Sequence, residues 1–167
     1  MSTNPGSNIG LSAPTGFRED ESYLEISPVR ILVVDDFEPF RRFVCSVLRQ
    51  KPEWQIVGQA SDGLEAVQKS EDLQPDLIVL DIGLPKLNGI EAARRIRKLR
   101  PESKILFLSQ ETSADIVQET LGLGAVGYVA KPYAGSELLV AMETVCGGGR
   151  FIGKGLSIPR FPCPRGS

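Results

Sequence analysis

Two short β-branched runs, Ile31-Leu32-Val33-Val34 and Leu77-Ile78-Val79-Leu80, each stop at acid: the first at Asp35 and Asp36, the second at Asp81. Apolar runs of this length without polar alternation read as strands buried on both faces, the pattern of a parallel sheet covered by helices. Acids at the exits of such strands gather at one edge of the sheet. Three clustered carboxylates call for a divalent cation, and hard oxygen ligands without thiolate or imidazole favour magnesium or manganese. Such an ion would let an anion such as phosphate approach an otherwise repulsive pocket.

From Val29 onward, short apolar runs alternate with amphipathic stretches, as in repeated β-α units. Strand 30–34 precedes a helix from about Pro39 to Gln50, with Phe40, Val44, Val47 and Leu48 on one face. A second strand near 55–59 leads to Asp62, a helix cap with Glu65 placed three residues on as in a capping box. The run 77–80 precedes a loop and a helix that should bury Ala92, Ala93, Ile96 and Leu99. Run 105–108 ends at Ser109 and is followed by a helix carrying Ile116, Val117, Thr120 and Leu121. The fifth strand, Val126 to Val129, ends at Lys131-Pro132, and a last helix over about 136–146 stops at Gly147-Gly148-Gly149. Five such units with right-handed crossovers imply a doubly wound parallel α/β sheet in the order 2-1-3-4-5, with ligands beyond the carboxyl ends of its strands.

At 167 residues and 41% hydrophobic content, the chain suits one ordinary domain with tails. The expected division is a mobile tail over 1–28, the domain over 29–147, and a Gly/Pro-rich tail or truncated linker over 148–167. With 19 basic against 21 acidic side chains, the balance gives no electrostatic case for nucleic acid or an anionic membrane. The absence of histidine removes a Ser-His-Asp triad, a Cys-His pair and any imidazole metal site. Cys45, Cys146 and Cys163 suggest neither a disulfide framework nor a zinc site. With no signal peptide or membrane span in the sequence, the expected location is the cytoplasm.

The candidate functional residues all fall at strand exits: Asp35 and Asp36, Asp81, Ser109 and Lys131. The one strand without a candidate is the second, the outer edge in that order. These residues sit in the motifs Val33-Val34-Asp35-Asp36, Val79-Leu80-Asp81-Ile82 with Pro85 and Gly89, Leu108-Ser109, and Gly127-Tyr128-Val129-Ala130-Lys131-Pro132. Over about residues 29 to 147 the chain resembles the receiver domain of bacterial two-component response regulators, a flavodoxin-like (βα)5 fold.

The resemblance implies that Asp81 accepts a phosphoryl group from a sensor histidine kinase, and that the chain catalyses only its own phosphorylation and dephosphorylation. It implies magnesium held by Asp36, Asp81 and the backbone carbonyl of Gly83, with Asp35 acting mainly through water. Lys131 would neutralise one phosphoryl oxygen and Ser109 would donate to another. Ser109 and Tyr128 would form the switch, and Pro132 matches a position preceded by a cis peptide bond in the family. Output would then pass through the face built from residues 112–146, to a second copy or an effector protein.

Two positions depart from the family pattern. Gln110 stands where a small residue is usual, and should crowd the approach of a phosphodonor or water. The stretch Gly147 to Ile152 resembles the lead into the linker of the subclass with a LuxR-type helix-turn-helix effector, but the residues that follow are too few and too broken by glycine and proline for a recognition helix. Hence a stand-alone receiver or a truncated regulator is expected, without direct nucleic-acid binding. The run Arg94 to Arg100 reads as a solvated helix face rather than a phosphate-binding patch. Two rival readings remain: a metal-dependent phosphohydrolase with Asp81 as nucleophile, and a phosphate-independent binding module.

Overall fold

The computed structural model describes residues 27–157. Most of the expected N-terminal tail and the last ten residues, Cys163 among them, lie outside the described residues. The elements are β1 (Val29–Val34), α1 (Glu38–Leu48), β2 (Trp54–Ala60), α2 (Gly63–Leu73), β3 (Leu77–Leu80), α3 (Gly89–Leu99), β4 (Lys104–Ser109), α4 (Ala114–Gly122), β5 (Gly127–Ala130), a 3-10 turn (Lys131–Tyr133), α5 (Ala134–Cys146) and β6 (Phe151–Ile152). All strand pairings are parallel, in the order β2-β1-β3-β4-β5-β6. This is the flavodoxin-like doubly wound fold expected from the sequence, with a sixth strand added.

The alternation of side chains along each strand sorts the core into two layers. Ile31, Val33, Val79, Leu106, Leu108 and Val129 face α1 and α5, where Val44, Leu48, Leu138, Met142 and Val145 complete one layer. Leu32, Val34, Ile78, Leu80, Phe107 and Tyr128 face the other way, onto Ala66 of α2, Ala93 and Ile96 of α3 and Val117 of α4. Complete burial on both faces explains why β1, β3 and β4 read as continuous apolar runs.

Register then fixes the functional edge. Val34 pairs with Leu80, so the next residues, Asp35 and Asp81, leave the sheet side by side, and the Asp81 amide donates to the Val34 carbonyl at 3.1 Å. Ser109 pairs with Ala130 and so brings Lys131 to the same edge.

Several details differ from the expectations. The sheet does not stop at β5: Phe151 and Ile152, in the stretch read as tail or linker, pair with Gly127 and Tyr128. In α3, Leu99 is exposed at the last turn of the helix, whereas Ile90, in the first turn, is buried with Ala92, Ala93 and Ile96. Among the described residues no peptide bond is cis, so Lys131–Pro132 is trans. Pro132 lies within the 3-10 turn that leads into α5, a place where its fixed φ suits a helical start. Asp62 caps α2 as expected, but the reciprocal half of the capping box closes one residue earlier. Asp62 accepts from the Glu65 amide at 2.7 Å, and Glu65 reaches back to the amide of Ser61, at 2.8 Å, rather than to the cap itself.

The start of α2 is pressed against the loop between β3 and α3. A Cβ added at Gly63 would lie 1.8 Å from the Leu87 carbonyl oxygen, and backbone cannot give way cheaply there. Helix propensity alone would make Gly63→Ala stabilising by up to about 1 kcal/mol. The clash reverses the sign: urea denaturation should show a loss of about 1–3 kcal/mol or more.

Candidate phosphoryl-transfer site

Asp35 and Asp81, one residue beyond the ends of β1 and β3, converge on Lys131, one residue beyond β5. The Lys131 ammonium lies 2.8 Å from Asp35 Oδ2 and 3.0 Å from Asp81 Oδ2. Their remaining oxygens are also engaged: Asp35 Oδ1 accepts from the Phe37 amide at 2.9 Å, and Asp81 Oδ1 from the Ile82 amide at 2.7 Å. Both acids are buried, whereas Asp36 is exposed at the rim. Burial raises the Asp35 pKa above the ordinary carboxylate value, against the pull of Lys131, and the neighbouring Asp81 charge adds to the rise. Burial pulls Lys131 downward, but its bond to Asp35 and the charge of Asp81 outweigh that and hold it above the usual lysine value. The ammonium is therefore firmly protonated.

Carboxylate oxygens of Asp35, Asp36 and Asp81 lie within 4.8 Å of one another. An all-oxygen anionic cluster of this span fits a hard divalent ion. The cluster opens onto a cavity of about 620 Å³, whose walls include Asp36, Asp81, Gly83, Ser109, Gln110 and Lys131. Open space surrounds the Gly83 α-carbon, where an added Cβ would meet nothing within 4 Å. Gly89 has no such room, since a Cβ there would come 1.9 Å from the Asp81 carbonyl oxygen. Glycine at 89 is thus what lets α3 begin directly behind Asp81.

The sequence singled out Ser109 and Tyr128, and the structure shows how they are joined. Ser109 is buried at the end of β4, and its hydroxyl accepts from the Glu111 amide at 3.2 Å. The Tyr128 ring is wholly buried, packed against Phe107 with centroids 6.0 Å apart, and its hydroxyl donates to the Glu111 carbonyl at 2.6 Å. Burial pushes the Tyr128 pKa up to about 12.

Two contributors were missed by sequence reasoning. Phe40, read there only as a core position of α1, stands beside the cavity with the Lys131 ammonium 4.7 Å from its ring centroid, a cation–π contact. Arg41 donates to the Asp35 carbonyl at 2.6 Å and to Gln59 Oε1 at 3.0 Å, bracing the exit of β1 against β2. Nothing in the helical spacing marks Phe40 out, because it faces the core and the site at once.

A doubly wound α/β fold whose strand exits gather three acids, a hydroxyl and a lysine at one sheet edge, beside one open cavity, defines a class of protein with a place for a divalent cation and an anion beyond its strands. The model of the response regulator receiver domain matches residues 31–143, and the chain belongs to that family, the phosphoryl-accepting module of two-component signal transduction. It is 36% identical over 124 residues to the transcriptional regulatory protein DegU of Brevibacillus brevis, covering 74% of this chain and 52% of that protein. Identity to the chemotaxis protein CheY of Thermotoga maritima is 34% over 116 residues, covering 70% of this chain and 96% of CheY. The crystal structure of a LuxR-family two-component response regulator from Aurantimonas sp. SI85-9A1 superposes with a TM-score of 0.71 at 32% identity, over 75% of this chain and 89% of that one. The chain thus spans about half the length of DegU but nearly all of CheY. No helix among the described residues is long and apolar enough to cross a membrane.

The buried phenol gives a measurable signature. Between pH 10 and 12 an unfolded chain has lost the Tyr128 proton while the folded chain retains it, so stability contributed below pH 10 should fall as pH rises through this window. Ultraviolet titration should find one tyrosine ionising near the upper limit, and Tyr128→Phe should abolish that step. The same variant should lose about 1 kcal/mol at pH 7 through the vacated Glu111 carbonyl.

Proposed function

We propose that Asp81 is the phosphoryl acceptor of a signalling receiver that takes its phosphoryl group from a sensor histidine kinase. The observation that carries this reading is the meeting of Asp35, Asp36, Asp81 and Lys131 at one edge of the sheet, with the Lys131 ammonium touching both buried acids. An Asp81 oxygen attacks phosphorus as the P–N bond of phosphohistidine breaks, and the released imidazole nitrogen keeps the bonding electron pair and gains a proton. The product is an acyl phosphate. Lys131 neutralises charge on a transferring oxygen, and the Ser109 hydroxyl donates to another.

Asp36, Asp81 and the Gly83 carbonyl would hold magnesium, or manganese, with Asp35 supporting the site through water. The ion supplies positive charge against the charge that builds on the phosphoryl oxygens. The second acid that phosphohydrolases with an aspartate nucleophile often carry two residues on is not found here, where Gly83 stands. This favours a phospho-acceptor over an enzyme acting on other molecules.

In this reading Ser109, Tyr128 and the Pro132 turn form the switch, and residues 112–146 present the output surface to an effector or a second copy. Arg94 binds Glu91 and Glu119, and Arg97 donates to the Pro101 carbonyl at 2.8 Å. These internal commitments favour protein rather than nucleic-acid partners for the described residues, and a cytoplasmic setting accords with a kinase donor.

Incubation with acetyl phosphate and magnesium should add one phosphoryl group by intact mass, and Asp81→Asn or chelation with EDTA should abolish the addition. Labelling that persists in Asp81→Asn would overturn the acceptor assignment. Gln110 lines the cavity beside Ser109, in the path of donor and water. Gln110→Ala should therefore quicken phosphorylation, hydrolysis or both by about tenfold, an activation difference of about 1.4 kcal/mol. Unchanged rates in a phosphate-lifetime assay would assign Gln110 no gating role.

A further inference from the structure

The residues after α5 return across the molecule. Gly148, at φ +95°, turns the chain, and the Gly149 amide donates to the Thr144 carbonyl at 2.9 Å. Phe151 and Ile152 then run beside β5, with the Phe151 amide on the Val126 carbonyl at 3.1 Å and the Gly153 amide on the Tyr128 carbonyl at 2.9 Å. Next, the Lys154 amide donates to both oxygens of Glu137, at 3.0 and 3.3 Å. Glu137 is only 7% exposed, although it lies in the first turn of α5. Gly155 adopts φ +78°, and a Cβ there would fall 2.5 Å from the Tyr133 ring, so the sequence needs glycine at this crossing. Leu156 packs against the core layer of α4, and the Ser157 amide donates to the Thr112 carbonyl at 2.9 Å.

The last of these bonds reaches the cavity wall. Thr112 follows Glu111, whose amide donates to the Ser109 hydroxyl and whose carbonyl accepts from the Tyr128 hydroxyl. Tyr128 meets the segment a second time, through its own carbonyl bonded to Gly153.

We propose that residues 151–157 are a strap which occupies the surface of α4, β5 and α5 in the unphosphorylated chain and detaches when Asp81 is phosphorylated. The proposal rests on the reading of Asp81 as acceptor. A phosphoryl group on Asp81 brings new acceptor oxygens into the cavity that Ser109 lines. To reach them the Ser109 oxygen must swing toward the cavity, and that movement, rather than the donation itself, takes it away from the Glu111 amide. The 111–112 backbone moves with it, and the hydrogen bond between Ser157 and Thr112 is the first part of the strap to break. Coupling of this kind is reciprocal, so loosening the strap favours the phosphorylated state.

Hydrogen exchange on the full chain, read at the amides of Phe151, Gly153, Lys154 and Ser157, tests the proposal. Phosphoramidate serves as donor: its phosphoryl group passes to an Asp81 oxygen as the P–N bond breaks and ammonia leaves. Intact mass on the same sample reports labelling. All four amides should be protected before labelling, and exchange at all four, Ser157 foremost, should rise by a factor on the order of ten or more after it. Glu137→Ala should produce the same rise without phosphate and should raise the fraction labelled at a fixed donor concentration. Gly153→Ala should do likewise from the strap side, because its Cβ would lie 2.3 Å from Glu137 Oε1. Circular dichroism confirms that the variants are folded. Labelled chain with unchanged exchange at 153–157 overturns the strap and leaves the acceptor reading standing. Chain that takes no label overturns both. Amides unprotected from the outset overturn the strap alone.

Discussion

The Lys131 ammonium, held between Asp35 and Asp81 with 13% of its side chain exposed, is the contact on which the site depends. Two like charges about 4 Å apart repel by about 4 kcal/mol at an effective dielectric of 20, a large fraction of the stability of a small domain. Three acids brought together by strand register would therefore oppose the folding that assembles them. Lys131 offsets that repulsion and also ties the exits of β1, β3 and β5 together. Removing a single partner from such a buried group costs more than the group contributes as a whole, because the charges left behind lose both water and counterion. One ammonium does not balance three ionised acids, so the rim at Asp36 keeps an excess of negative charge. That excess suits a hard cation, and a cation in turn suits an incoming phosphoryl group.

The contacts around Lys131 also explain why its neighbours are what they are. Phe40 lays an aromatic face beside the ammonium, a cation–π contact that adds to the two carboxylates. Arg41 holds the Asp35 carbonyl, so the backbone at the end of β1 is fixed before the side chain is asked to place a carboxylate. Gly89 lets α3 press close behind Asp81, which sets that carboxylate against a rigid wall. Each of these residues acts on position rather than on charge.

Much of this was legible in the sequence, for a physical reason. Strands buried on both faces must be apolar throughout, so β1, β3 and β4 announced themselves, and the polar residue that ends each run is the one delivered to the carboxyl edge. Strand order and site followed together from Asp35, Asp36, Asp81, Ser109 and Lys131. The illegible parts are those set by tertiary approach. Phe40 looks like any helix core residue, Leu99 obeys the helical period but ends its helix exposed, and the bond before Pro132 is trans where the family likeness implied cis. Phe151 and Ile152 are too few to read as a strand, and become one only because the edge of β5 is waiting for them.

That edge explains why a two-residue strand matters. The four residues of β5 are fully buried on both faces, so the strand cannot defend itself with outward charges as exposed edge strands do. The opposite edge, β2, is half exposed along its length and carries Gln55 and Gln59, which leaves it polar. Phe151 of β6 and Gly153 just after it cover the carbonyls of Val126 and Tyr128 with two backbone hydrogen bonds, each worth about 1 kcal/mol net. Shielding of this size keeps the edge closed at rest, yet it lies within the 1–3 kcal/mol or so that coupling between two sites ordinarily commands. A longer sixth strand would close β5 permanently, and none at all would leave it open to any extended chain. The two-residue pairing, with Glu137 and Thr112 as its outer anchors, sits between those limits.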